Sequence, residues 1–194
     1  MAEELKSAPL VLTIGHSTRL LDDFIDLLRT HGVEKVIDVR TVPRSHHNPQ
    51  FNRETLPESL RSARIGYKHI PGLGGLRHAK RDSPNMGWHN SSFRGFADYM
   101  LTEEFEESLE KLIDLVQRKR VCLMCAEAVP WRCHRSLIAD ALQVRGITVG
   151  HIMGKSQLQL HKLTPFARVD GTQITYPPEA HEADETEQSE SYGR

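Results

Sequence analysis

The chain has 194 residues, 38% of them hydrophobic, and no apolar run approaches the ~20 residues that span a bilayer, which excludes a helical membrane protein. That length suits one hydrophobic core better than two full domains. The formal net charge of −1 conceals a division: residues 177–194 carry six acidic groups and one basic, whereas residues 40–94 carry ten Arg and Lys against three Asp and Glu, with five His besides.

A basic middle implies an anionic partner, either a small molecule or a nucleic acid. Met1 to Leu10 has no apolar stretch of the kind that opens a secretory signal. Three cysteines, an odd number, fit a reducing cytoplasm and not a disulfide scaffold. The thiols are therefore expected to serve as chemistry or as core in a soluble, cytoplasmic protein.

In chain order, residues 1–9 form an N-terminal extension, and Leu10 to Ile14 reads as a short strand that runs into Gly15-His16-Ser17-Thr18. Ser17 or Thr18 can cap the next helix, whose Leu21, Phe24, Ile25 and Leu28 recur at helical spacing before Gly32. His16 then stands at the C-terminal end of a strand, the edge where parallel sheets bind ligands. Val36 to Val39 is a second strand. On it Asp38 reads as half of an ion pair, with Arg40 and Arg44 beyond it as oxyanion holders. Thr55-Leu56-Pro57-Glu58 has the pattern of a capping box for a helix reaching about Gly66, and a strand over Tyr67 to Ile70 follows.

Residues 71–93 lack apolar periodicity but hold five glycines and prolines beyond Pro71 together with Trp88 and Asn90, which predicts an ordered lid with Arg94 at its end. Helices are expected over Phe93 to Met100 and Glu103 to Arg118, and a strand over Thr148 to Met153. Two alternating runs around Asp170-Gly171 predict a hairpin over Phe166 to Tyr176. The acidic tail, residues 177–194, is expected to be disordered. The alternation of strands and helices predicts a single α/β domain over residues 10–176, with a mostly parallel sheet, helices on both faces and a C-terminal β-hairpin.

Arg120 to Leu142 carries the densest chemistry: a buried strand over Val121 to Met124, a turn holding Cys125, Glu127, Pro130, Trp131 and Arg132, and a helix opening near Cys133, His134 and Arg135. A helix N-terminus favours anions and a deprotonated thiol. Residues 122 and 125 differ in strand parity, so Cys122 belongs to the core rather than to a C-x-x-C ligand pair.

Several stretches carry a resemblance: GHSTR at 15–19, DVR at 38–40, NPQFN at 48–52, LGG at 73–75, SPNMGWHNSSFRGFADYM at 83–100, CAEAVPWRCHRSLIADAL at 125–142 and LTPFARV at 163–169. In this order they resemble the bacterial domain-of-unknown-function 488 family (DUF488). That resemblance covers Leu10 to Tyr176 and implies no established reaction.

Three chemistries suit the central turn. The first is a thiolate of Cys125 acting on a phosphate- or sulfur-bearing anion, with Glu127, His134 and His16 as catalytic partners and Arg40, Arg44, Arg132 and Arg135 holding the anion. Strand, Cys, loop, Arg and helix is similar to the active loop of rhodaneses and cysteine phosphatases, although the loop has one residue more than in those phosphatases and includes Pro130. The second is a metal site of Cys125, Cys133 and His134, or a redox disulfide between the two cysteines. The third is nucleic-acid or nucleotide binding by the basic 40–94 region, with Phe51, Trp88, Phe93 and Tyr99 as stacking platforms. The first is the leading expectation. It requires no cofactor and leaves the oligomeric state open.

Overall fold

The computed structural model describes residues 9–178; the N-terminal extension and the acidic tail called from the sequence lie almost wholly outside the described residues. Six strands form one sheet in the order β3-β2-β4-β1-β5-β6, where β1 is Leu10–Gly15, β2 Lys35–Asp38, β3 Gly66–His69, β4 Val121–Cys125, β5 Thr148–Ile152 and β6 Leu158–Leu160. The first five run parallel and β6 is antiparallel to β5. β7, Arg168–Asp170, and β8, Gln173–Thr175, form the separate hairpin. The fold is the mostly parallel α/β sheet with a C-terminal hairpin that the chain pattern predicted.

Five helices cover the sheet. α1 (Leu21–Thr30) and α2 (Leu56–Ser62) lie on one face, where Phe24, Leu28, Leu56 and Leu60 pack against Leu12, Ile14, Val36, Cys122 and Met124. α3 (Ser91–Tyr99), α4 (Glu103–Val116) and α5 (Arg135–Gln143) lie on the other, against Val11, Ile37, Val39, Val121, Leu123 and Cys125. Central strands are buried on both faces and so read as continuous apolar runs. Cys122 and Cys125 fall into opposite cores, as strand parity required. No helix among the described residues is long and apolar enough to cross a membrane.

Two predicted caps do not form. α1 begins after Leu20 without a side-chain cap, because Ser17 adopts a positive φ of 48° and turns the chain before the helix. Thr55 is already helical in φ and ψ, and its hydroxyl donates to the carbonyls of Pro49 and Asn52 instead of accepting from the helix. Asn90 and Thr102 do cap α3 and α4.

β1 connects across β4 to β2, whereas β4 connects across β1 to β5. Connections leaving two adjacent strands in opposite directions open a crevice at their carboxyl ends. His16 follows β1, Cys125 ends β4 and Arg40 lies two residues beyond the neighbouring β2, all at this edge.

Candidate functional site

A pocket of about 400 Å³ opens at this edge, and among its lining residues are His16, Arg40, Arg44, Phe93, Cys125, Glu127, Arg132, Cys133 and His134. The structure thus brings most of the predicted site residues to one place. Its floor is set by backbone ties: the amides of His16 and Ser17 donate to the carbonyls of Cys125 and Ala126, at 2.9 Å each. A side chain at Gly15 would run into the Glu127 carbonyl, so only glycine lets the β4 loop lie against β1.

On one wall, Arg40 forks onto buried Asp38 through Nε and Nη2, at 2.9 and 2.6 Å, and Nη2 also donates to the Phe51 carbonyl. Asp38 is therefore the structural ion-pair partner expected from the sequence, and most of the Arg40 guanidinium expected to grip an anion is already bound. Arg40 Nη1 donates to His16 Nε2, while His16 Nδ1 donates to the Ser17 carbonyl. Both partners fix the neutral tautomer. Burial, reinforced by the Arg40 charge, lowers His16 to about 4, so it is uncharged at neutral pH.

The opposite wall is the short Pro130–Arg132 turn and the start of α5. Arg135 is 1% exposed, and its two terminal nitrogens donate to the carbonyls of Glu127 and Ala128, at 2.6 and 3.0 Å. It holds the loop; it does not extend into the pocket as an anion grip. Among the described residues no carboxylate pairs with it, and its Nε has no hydrogen-bond partner. A buried cation without a counter-charge is costly. The nearby acceptor is sulfur: Cys133 is lowered to about 7, first by a hydrogen bond from the Cys125 thiol and then, against burial, by the charge, backbone amide and side chain of Arg135.

Cys125 moves the other way. Donation to Cys133 and burial push its thiol up. The lowered thiol predicted for this turn is Cys133, next to the helix start, whereas Cys125 at the strand end is the donor. Burial raises Cys122 as well, and it has no route to the pocket.

His134 lies between the two walls. Its Nε2 faces the carbonyls of Val39 and Leu73 at 3.0 and 3.1 Å, so Nε2 carries the proton and Nδ1 presents a lone pair. Nδ1 lies 3.8 Å from the Cys133 sulfur. A Cβ on Gly75 would strike this ring, so the glycine is what admits it. The donor atoms of Cys125, Cys133 and His134 all lie within 4.8 Å of one another, a set that a soft divalent cation can use with one position left open to the pocket. His16 cannot complete it, since its lone pair is taken by Arg40.

Other predicted residues lie at the pocket's exposed rim or away from it. Glu127 is exposed, and its backbone carbonyl, not its carboxylate, meets Arg135. Arg132 is exposed at the rim, and Arg44 is 71% exposed and bridges Glu54 at 3.2 Å. Trp88, Asn90 and Arg94 form no lid over the pocket: Trp88 packs on Phe93, Phe166 and Tyr176, Asn90 caps α3, and Arg94 donates to the carbonyls of Trp88 and His89. The segment touches the pocket through Gly75, Leu76, Ser92 and Phe93 instead. Trp131, 58% exposed, lines a neighbouring cavity. Of the stacking platforms, Phe51 is fully buried against the His16 ring and Tyr99 is 7% exposed under the Arg77 guanidinium.

A family model described as Domain of unknown function DUF488 matches residues 20–142, well over half of the chain. The protein belongs to the DUF488 family. The DUF488 match takes in Arg40, Cys125, Cys133, His134 and Arg135, and stops short of β1 with His16 and of the C-terminal hairpin. No curated protein and no solved structure matches the chain.

Proposed function

We propose that this DUF488 protein is a thiolate-dependent enzyme acting on a small anionic substrate, with Cys133 as the nucleophile. The observation that carries the reading is Arg135: a fully buried guanidinium with no carboxylate partner among the described residues, set against the Cys133 sulfur. A thiolate there supplies the missing counter-charge, and the same cation and the Arg135 backbone amide keep it ionised. The Cys125 sulfur lies within 4.8 Å of it. Arg132 and the exposed end of Arg44 give the pocket mouth the positive charge that draws an anion.

This reading keeps the cysteine chemistry expected from the sequence and moves the attacking sulfur eight residues on, from the strand end to the helix start. Cys133 sits at the helix start, where positive dipole and guanidinium converge, whereas Cys125 sits one hydrogen bond behind it. The test is the pH dependence of iodoacetamide labelling, mapped by peptide mass spectrometry, with and without prior chelation. Labelling of Cys133 with a midpoint near 7, slowed by millimolar phosphate or thiosulfate, is the expected result. A midpoint at or above the free-thiol value of about 8.5 overturns the proposal. Protection that only a chelator lifts would move the site to metal binding.

A further inference from the structure

A single nucleophile leaves Cys125 without a chemical task, yet it is held beside Cys133 in the same pocket. Resting on Cys133 as the reactive sulfur, we infer that Cys125 is a resolving thiol and that the substrate is an anionic low-molecular-weight disulfide, reduced by thiol–disulfide exchange. The two sulfurs lie within 4.8 Å of each other, and both residues line the pocket. Closing them to bonding distance takes a movement of under about 3 Å, within reach of side-chain rotation. Cys122 cannot compete, since it faces the other core.

The exchange balances with the groups that the pocket supplies. The Cys133 thiolate attacks one sulfur of R–S–S–R; a Cys133–S–S–R bond forms, the substrate S–S bond breaks and one R–S⁻ leaves. Nδ1 of His134 faces both sulfurs with a lone pair, because Nε2 is committed as donor to Val39 and Leu73. It takes the Cys125 proton as that sulfur attacks Cys133. A Cys125–Cys133 disulfide forms, the second R–S⁻ leaves, and the proton passes from His134 to it. The dithiol loses two electrons and the substrate becomes two thiols. The step gives Arg135 and His134 each a use: Arg135 for the attacking sulfur, His134 for the resolving one. The substrate's charge follows from Arg132 and Arg44 at the mouth, and its aliphatic arms from Val42, 59% exposed, and Leu76, 74% exposed, beside them.

The experiment treats reduced, chelator-treated full-length protein with glutathione disulfide, an anionic probe, or with cystamine, its cationic counterpart, and follows released thiol and chain mass. Wild type is expected to release two thiols per chain, lose two hydrogens and yield a cross-linked Cys125–Cys133 peptide, tenfold or more faster with the anionic probe. Cys125→Ser is expected to stop after one thiol with glutathione retained on Cys133. A stable mixed disulfide in wild type, or an adduct on Cys125, overturns the resolving role, and equal rates for the two probes overturn the anionic substrate class. Cross-link mapping in wild type does not depend on any variant folding. If iodoacetamide labels Cys133 near neutral pH yet no cross-link forms, the inference fails alone; if Cys133 resists labelling, the proposed function fails first.

Discussion

Cys133, His134 and Arg135 are consecutive, yet His134 is held by Val39 and Leu73 and Arg135 by the carbonyls of Glu127 and Ala128, and that dependence makes their roles testable. Replacing Arg135 with Gln removes the buried charge while keeping a donor. The Cys133 labelling midpoint should then rise by about 1–3 pH units, the effect of losing an opposite charge a few ångströms away. Stability should drop by about 1–3 kcal/mol as a loop carbonyl loses its donor, read from urea unfolding. An unchanged midpoint would mean that Arg135 merely ties the loop. Gly75→Ala probes the other side. Its methyl would meet the His134 ring and force Nε2 away from Val39 and Leu73, at a cost of about 1–3 kcal/mol. In that variant the Cys125–Cys133 cross-link should form at least tenfold more slowly while Cys133 still alkylates. Equal loss of both reactions would argue for a general collapse of the pocket.

At the level of elements, the sequence displays what is periodic and hides what is held from a distance. β1, β2, β4 and the apolar stripes of α1 and α4 are legible because buried strands and amphipathic helices declare themselves locally. β6 was missed: Leu158–Leu160 is a three-residue exposed edge strand, too short to show alternation, and it exists through pairing with β5. The capping box at Thr55 was legible but false, since the preceding Pro49–Phe51 turn captures the hydroxyl. Arg135 reads in sequence as an anion holder at the helix start. Nothing local reveals that it is buried or that its partners are carbonyls eight and seven residues back. The stretch around Trp88 was expected to be ordered, and it is, but as a strap. Asp98 on α3 accepts from the Lys80 amide, the Ser83 hydroxyl and the Asn85 side chain, and Asn85 in turn accepts from the Tyr176 amide. Gly95 lets the strap cross α3, because a side chain there would strike the Arg77 carbonyl. Asp98→Ala should therefore cost about 2–4 kcal/mol, the scale of a buried carboxylate whose several donors are left unpaired. Amide exchange should rise across residues 80–88 and β8 together; a rise confined to α3 would refute the strap.

For the whole molecule, two buried neutral histidines, His16 just beyond β1 and His151 on β5 level with Thr13, set its response to acid. His16 lines the pocket. His151 belongs to a chain in which Thr13 Oγ donates to His151, His151 Nε2 to His161, and His161 to Asp140, which also accepts from Thr164 and from Tyr176. Asp140 accepts at the end of this chain, and the neutral His151 ring lies between Thr13 and His161. This network joins α5, β1, β5 and the segment leading into the hairpin. Burial, with the neighbouring His161 and Arg135 acting in the same sense and Asp140 against it, lowers His151 to about 3 from the ordinary 6.5. His16 stands at about 4. The unfolded chain takes up these protons below about 6.5, whereas the folded chain refuses them until about 4 and about 3. Through that window the unfolded state binds more protons, so stability falls as pH falls. Each histidine contributes at most about 1.4 kcal/mol per pH unit, and together they should approach about 3 kcal/mol per unit between pH 6 and pH 4.5. Urea unfolding at half-unit intervals measures the slope. His151→Gln should roughly halve it, while His46→Gln and His47→Gln, both exposed, should leave it unchanged. A flat profile down to pH 4.5 would mean that the folded chain admits protons at His16 and His151 as readily as the unfolded one, and the hydrogen-bonded chain from Thr13 to Asp140 would have to be abandoned.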